Sequence, residues 1–175
     1  MDIVSLEDAR RQLRLGSDTS RDQELQDWIT DAQDWIEDYT GHTLSLRDVT
    51  QTFTGFDTMA LRAWPVAASA VPFVTYSDQA GQPVAVPSPL IDVSRRPARV
   101  VPWIGSRWPS VPAGTTVTVT VAAGYASAGD VPRNFRRAAL LLIGAYDADR
   151  EGGEIMQVAE QTARRLCGGK RARSL

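Results

Sequence analysis

A chain of 175 residues is long enough to bury a core, and 43% hydrophobic with 23% charged residues is the composition of a folded globular protein, not a disordered one. No apolar run approaches the roughly 20 residues that cross a bilayer, which excludes a spanning helix and leaves no membrane partner expected. The net charge of −2 is unremarkable as a total, but residues 1–40 hold eleven acids against four arginines, while 159–175 hold five bases against Glu160 alone.

Met1–Ser5 lacks the basic-then-apolar pattern of a signal peptide. Cys167 is the only cysteine, so no internal disulfide is possible and a reducing cytoplasm suits the chain. An acidic front and a basic end fit a chain that meets copies of itself or a charged partner, and equally fit two solvated helical faces.

The first helix is predicted over about 5–15, where Ser5 followed by Asp8 resembles a capping box and Leu6, Ala9 and Leu13 make a short apolar stripe. The second, over about 21–40, carries Leu25, Trp28, Ile29, Ala32, Trp35, Ile36 and Tyr39 at helical spacing and stops at Gly41. Trp28 and Trp35 read as core. A β-rich insertion follows over about 47–124. Thr-rich alternation at 49–54, short apolar runs at 61–64 and 71–76, a turn at 77–82 and Val84–Val86 read as strands. Six prolines between Pro87 and Pro112 exclude a regular helix and break any strand into pieces. Val117, Val119 and Val121 alternate with threonines in the strongest strand signal.

The third helix, about 131–151, reads as the central core element. Asp130 is placed to cap it and Pro132 to open it. Phe135, Ala138, Ala139, Leu142, Ile143 and Tyr146 recur at three- and four-residue steps. Gly144 is placed to admit a close neighbour, and Gly152-Gly153 ends the helix. A last helix is predicted over about 154–167, with a flexible basic tail at 168–175. The fold class is α+β: a small helical bundle from both chain ends with an inserted β region, forming one domain.

Catalytic chemistry is poorly supplied. His42 is the only histidine; it follows a helix-ending glycine, reads as a surface-loop residue, and no nucleophile elbow accompanies it. A zinc site fails for lack of Cys and His, and Gly168-Gly169-Lys170 lacks the rest of a phosphate loop. Asp27, Asp31 and Asp34 read as a solvated helix face rather than a cation site. No metal, cofactor or catalytic residue is assigned. Arg95, Arg96, Arg99 and Arg107 beside Trp103 and Trp108 have two readings. Arginine and tryptophan bind phosphates and stack on bases, and they also anchor protein interfaces; the proline-broken setting favours a subunit or tail interface.

Three segments carry a resemblance: Ser5 to Leu15 with the acidic loop after it; Ile29 to Leu44, including Trp35-Ile36-Glu37-Asp38-Tyr39-Thr40-Gly41-His42-Thr43-Leu44; and Val117 to Tyr146, a Val/Thr strand, Ala-Gly-Tyr at 123–125, Val131-Pro132 and the Ala/Leu-rich helix. Their order resembles the head-tail connector, or adaptor, proteins of long-tailed bacteriophages. Residues 57–114 match no specific pattern, and Cys167-Gly168-Gly169 replaces the usual proline-containing end.

The resemblance implies a non-enzymatic virion subunit in a dodecameric ring at the neck. Such a subunit is made in the bacterial cytoplasm and contacts its own copies, the portal protein, the next connector or tail-completion protein, and genomic DNA in the lumen. The basic end, with Arg164, Arg165, Leu166, Lys170, Arg171 and Arg173, is expected to be a portal-docking arm that folds only on its partner. Because the strongest apolar stripes are used within the chain, the isolated protein is expected to be monomeric or weakly associated. The alternatives are a nucleic-acid-binding module using the Arg/Trp loop and basic tail, and a small hydrolase with an unrecognised site.

Overall fold

The computed structural model describes residues 1–171. It bears out the α+β class: helices from the two ends of the chain flank, in sequence, two antiparallel sheets. The chain forms two compact units, one built from Met1–Ser45 with the chain from Tyr125 on, the other from Leu46–Gly124.

In the helical unit, α1 (Leu6–Gln12) opens on Ser5, whose Oγ accepts the Asp8 N–H at 3.1 Å. It ends earlier than the sequence implies, because Leu13 leaves helical geometry and Arg14 turns left-handed at φ 58°. Helix α2 (Asp22–Thr40) buries Leu25, Ile29, Ala32 and Ile36. Gly41 closes it in the left-handed conformation that glycine adopts without a Cβ penalty, its N–H bonding Glu37 O at 2.8 Å. Trp28 and Trp35 are half-buried and packed against the core.

Helix α3 (Arg133–Ala148) buries Phe135, Ala138, Ala139, Leu142, Ile143 and Ala145. Two expectations about it are corrected. Pro132 occupies the cap position, and the Asp130 carboxylate instead accepts from the Ser127 N–H and hydroxyl at 3.1 and 2.8 Å, a local turn that competes with capping. A Cβ at Gly144 would meet only Gln12 Nε2 at 3.8 Å, so no close neighbour requires that glycine. The helix stops at Asp149, whose carboxylate accepts the Gly153 and Met156 N–H groups at 2.9 and 3.1 Å and so starts α4 (Glu154–Gly168). These bonds hold the Asp149 carboxyl below its ordinary pKa.

The core of this unit gathers Ile3, Val4, Ile29, Ile36, Leu44, Phe135, Leu142 and Ile143 with Ala163 and Cys167. Each large side chain fully removed from water there contributes about 1.5–3 kcal/mol before entropy is counted. The residues α4 buries are small: Ala159, Ala163 and Cys167.

The inserted unit contains β1 (Arg47–Thr54), β2 (Met59–Ala60), β3 (Phe73–Ser77), β4 (Pro83–Ala85), β5 (Leu90–Asp92), β6 (Arg99–Val101) and β7 (Thr116–Ala123). One sheet has the order β1-β7-β3-β4 and the other β2-β6-β5. Strand β7 is central in the larger sheet, paired with β1 from Arg47↔Ala123 to Thr54↔Thr116 and with β3 from Phe73↔Thr120 to Tyr76↔Val117. Val117, Val119 and Val121 are buried on one face, while the Thr50 and Thr120 hydroxyls bond at 2.9 Å on the other. The strand expected at 61–64 is displaced to β2. The Gln51 amide reaches it from β1, donating to Ala60 O at 3.1 Å and accepting the Arg62 N–H at 2.9 Å. Phe56, Met59, Leu61, Val74, Ala98 and Val100 close this unit's own core.

Candidate interaction surfaces

The Arg/Trp segment does not form one patch. Trp108 stacks on Phe56 with centroids 5.0 Å apart and planes at 15°, so it is half-buried against the core of the insertion. The Arg96 guanidinium lies 5.3 Å over Trp64. Arg99 sits in β6 with its Nε buried and without a hydrogen-bond partner among the described residues, while Arg95 is exposed at 3.9 Å from Asp92. Trp103 and Arg107 remain on the surface. They flank a turn closed by Ser106 N–H to Trp103 O at 2.8 Å, with Gly105 at φ 81°. The turn holds Trp103 52% and Ile104 82% exposed.

The basic end departs from the expected free arm. Through Arg171 it is integral to the helical unit, because Ala163 and Cys167 are fully buried and Leu166 packs against the same core. Arg164 and Arg165 point to solvent, Arg164 pairing with Glu160 at 3.0 Å. The Arg171 guanidinium lies 4.9 Å from the Tyr39 ring, and the exposed Lys170 donates its backbone N–H to Cys167 O at 2.9 Å. Arg173 lies outside the described residues.

His42 is corrected most sharply. It is 5% exposed, with Nε2 3.0 Å from Lys170 O and Nδ1 2.8 Å from the Tyr125 hydroxyl. A carbonyl only accepts, so Nε2 carries a hydrogen and donates it to Lys170 O; in the neutral form of the ring Nδ1 then accepts from the Tyr125 hydroxyl. Phe135 meets the ring edge-on at 5.0 Å. The arrangement ties three distant parts of the chain together. Asp27, Asp31 and Asp34 face solvent, and among the described residues no group of three His, Cys, Asp or Glu is placed to hold a metal ion.

Sequence reading missed an open groove of about 450 Å³ in the helical unit. Its apolar floor is Trp28, Tyr146 and Met156; Glu24, Asp31, Asp149 and Glu151 line it with Arg150. Arg21 and Arg150 approach the Trp28 ring at 5.2 and 5.8 Å, and Glu24 pairs with both at 2.7 and 3.0 Å. Arg21 also bridges to Asp147 at 2.6 Å. Burial, with Asp31 and Glu160 adding to it, pushes the Tyr146 hydroxyl up to about 12. The half-buried state of Trp28 was the available signal, but periodicity assigns a tryptophan to a face without saying how far it is covered.

Residues 3–63 match the family model described as phage gp6-like head-tail connector protein, which bears out the resemblance read from the sequence. The fold is similar to that of a chain in the neck of an empty gene transfer agent particle computed with C6 symmetry: TM-score 0.75, 24% identity, 99% of this chain and 92% of that one. A chain of the native gene transfer agent virion aligns over the same shares with TM-score 0.70 and 24% identity. One in the native neck computed with C12 symmetry aligns with TM-score 0.61 and 23% identity, over 95% of this chain and 90% of that one. No curated protein matches the chain.

Proposed function

We propose that this protein is a structural subunit of a viral neck, a head-tail connector whose copies form a ring between the portal and the tail. The observation that carries the reading is the connector-family match over residues 3–63, which covers α1, α2, β1 and β2. The whole-chain likeness to neck chains, one of them from a neck computed with C12 symmetry, supports a ring of copies, a dodecamer by that symmetry. The protein acts by shape and attachment, not by turnover. Genomic DNA passes through the lumen, and the next connector or tail-completion protein binds below. Alone, the chain is monomeric or weakly associated, and it closes into a ring on the portal.

Arg164 and Arg165 in α4 and Lys170 and Arg171 just after it, all exposed, are the portal-facing charges in this reading, with Leu166 between them in sequence; Arg173, also assigned to this contact, lies outside the described residues. Attachment through them weakens with added salt. The test is genetic. Particles assembled without this chain should accumulate as DNA-filled heads lacking tails, and the restored protein should appear by electron microscopy as a ring at the neck. Arg165→Glu with Lys170→Glu should lower attachment to filled heads while the protein melts normally. Infectious particles of normal yield without the chain would sink the reading.

A further inference from the structure

Two surfaces are unused by the proposed portal contact: the Trp103–Arg107 turn, which the sequence suggests as a subunit or tail interface, and the groove floored by Trp28, Tyr146 and Met156. We infer that they are the two halves of one contact between copies, the turn of one protomer seating in the groove of the next. The inference rests on the ring reading and adds the residues that make the joint.

Three observations support the pairing. The first is charge. From residue 93 to 129 the chain holds four arginines and no acid, and no carboxylate among the described residues pairs with Arg107. Helix α2, which forms one wall of the groove, holds seven acids and no base. Glu24 is engaged by arginines and Asp149 by backbone N–H groups. Asp31 and Glu151 have no such partner among the described residues and remain as counter-charges for Arg107. The second is apolar fit. Trp103 and Ile104 begin the turn with much of their apolar surface in water, and the groove offers aromatic and thioether surface in a volume that takes large side chains. Aromatic and arginine anchors seated in a desolvated pocket are what concentrates binding energy at protein interfaces. The third is symmetry. Turn and groove are different surfaces, so their contact is head-to-tail, the kind that builds closed rings rather than two-fold dimers. Necks computed with C6 and C12 symmetry have that character. One small anchor per joint also fits a chain that associates weakly until a template gathers its copies.

The experiment is a directed cross-link on the full chain. Protein carrying Ser106→Cys, exposed in the same turn and leaving Trp103 in place, is mixed with protein carrying Glu151→Cys and treated with a short bis-maleimide, both free at high concentration and in assembled particles. The native Cys167 is fully buried and its thiol is pushed up to about 11, so it stays out of the reaction. The expected result is an intermolecular product in the mixture far exceeding that from either protein alone, and a ladder of multimers when one chain carries both changes. Arg107→Glu should cut the yield several-fold and Asp31→Arg should restore it in the charge-swapped pair. Turn-to-turn products as frequent as turn-to-groove products overturn the inference, as do intact neck rings formed by the Trp103→Ala, Ile104→Ser double variant. Either result with rings present leaves the connector reading standing; absence of the chain from particle necks overturns both.

Discussion

At the scale of single residues, His42 shows what burial does to a side chain that looked incidental. Its two ring nitrogens bond groups 83 and 128 residues away along the chain, so no local pattern around Gly41 announces them. His42→Ala is expected to remove the hydrogen bonds to the Tyr125 hydroxyl and the Lys170 carbonyl and to lower stability by about 1–3 kcal/mol, read by chemical denaturation. A change near zero would mean the ring is dispensable packing. Tyr146 makes a pH prediction. Its hydroxyl ionises near 10.0 when the chain is unfolded and near 12 when folded, so the folded state holds its proton longer. The contribution to stability is constant below about pH 10 and is lost as pH rises from there toward 12. Tyr146→Phe should flatten that limb of the stability-versus-pH curve. An unchanged alkaline limb would show that another group controls it.

At the scale of elements, the long helices were legible because large apolar residues recur at their buried positions. Leu25, Ile29 and Ile36 in α2, and Phe135, Leu142 and Ile143 in α3, are all buried where periodicity put them. Helix α4 misleads for a physical reason. Its large residues Ile155 and Val158 are over half exposed, and its buried stripe is Ala159, Ala163 and Cys167. Small side chains let two helices pack closely while contributing little to a hydrophobic count, so the helix resembled a loosely held arm. The corrected expectation is that truncation after Val158 removes part of the core and abolishes cooperative melting, where a free arm would have left it unchanged. Modification of Cys167 by a thiol reagent should track global unfolding; fast labelling of the native chain would show that α4 detaches. The smaller sheet was illegible because β2, β5 and β6 are two or three residues long and separated by prolines, too short for any alternation to register.

At the scale of the whole molecule, the α+β class and the order of helices and sheets were readable, whereas the interaction surfaces were not. Arg95, Arg96, Arg99, Trp103, Arg107 and Trp108 are neighbours in sequence, yet the fold sends Trp108 inward against Phe56 and leaves Trp103 out. Composition names residues suited to an interface, but only packing decides which ones reach it. The same packing gives each unit a core of its own. Every buried residue of the helical core comes from Ile3–Leu44 or from Val131–Cys167, and every one of the insertion's core from Phe56–Ala123. Joining Ser45 to Tyr125 through a short Gly-Ser linker is therefore expected to leave a helical protein that melts cooperatively; a molten product by near-ultraviolet dichroism would contradict this.

The pairing of Arg47 with Ala123 brings the two ends of the insertion side by side at the start of one hairpin-like ladder. Genetically, that makes the sheet unit a cassette with adjacent splice points. An exchange of that cassette would leave the cores of the flanking helices undisturbed. Kin of this protein should accordingly vary in length mostly in the loops between Leu46 and Gly124 other than the Trp103–Arg107 turn, while inheriting the same helical frame.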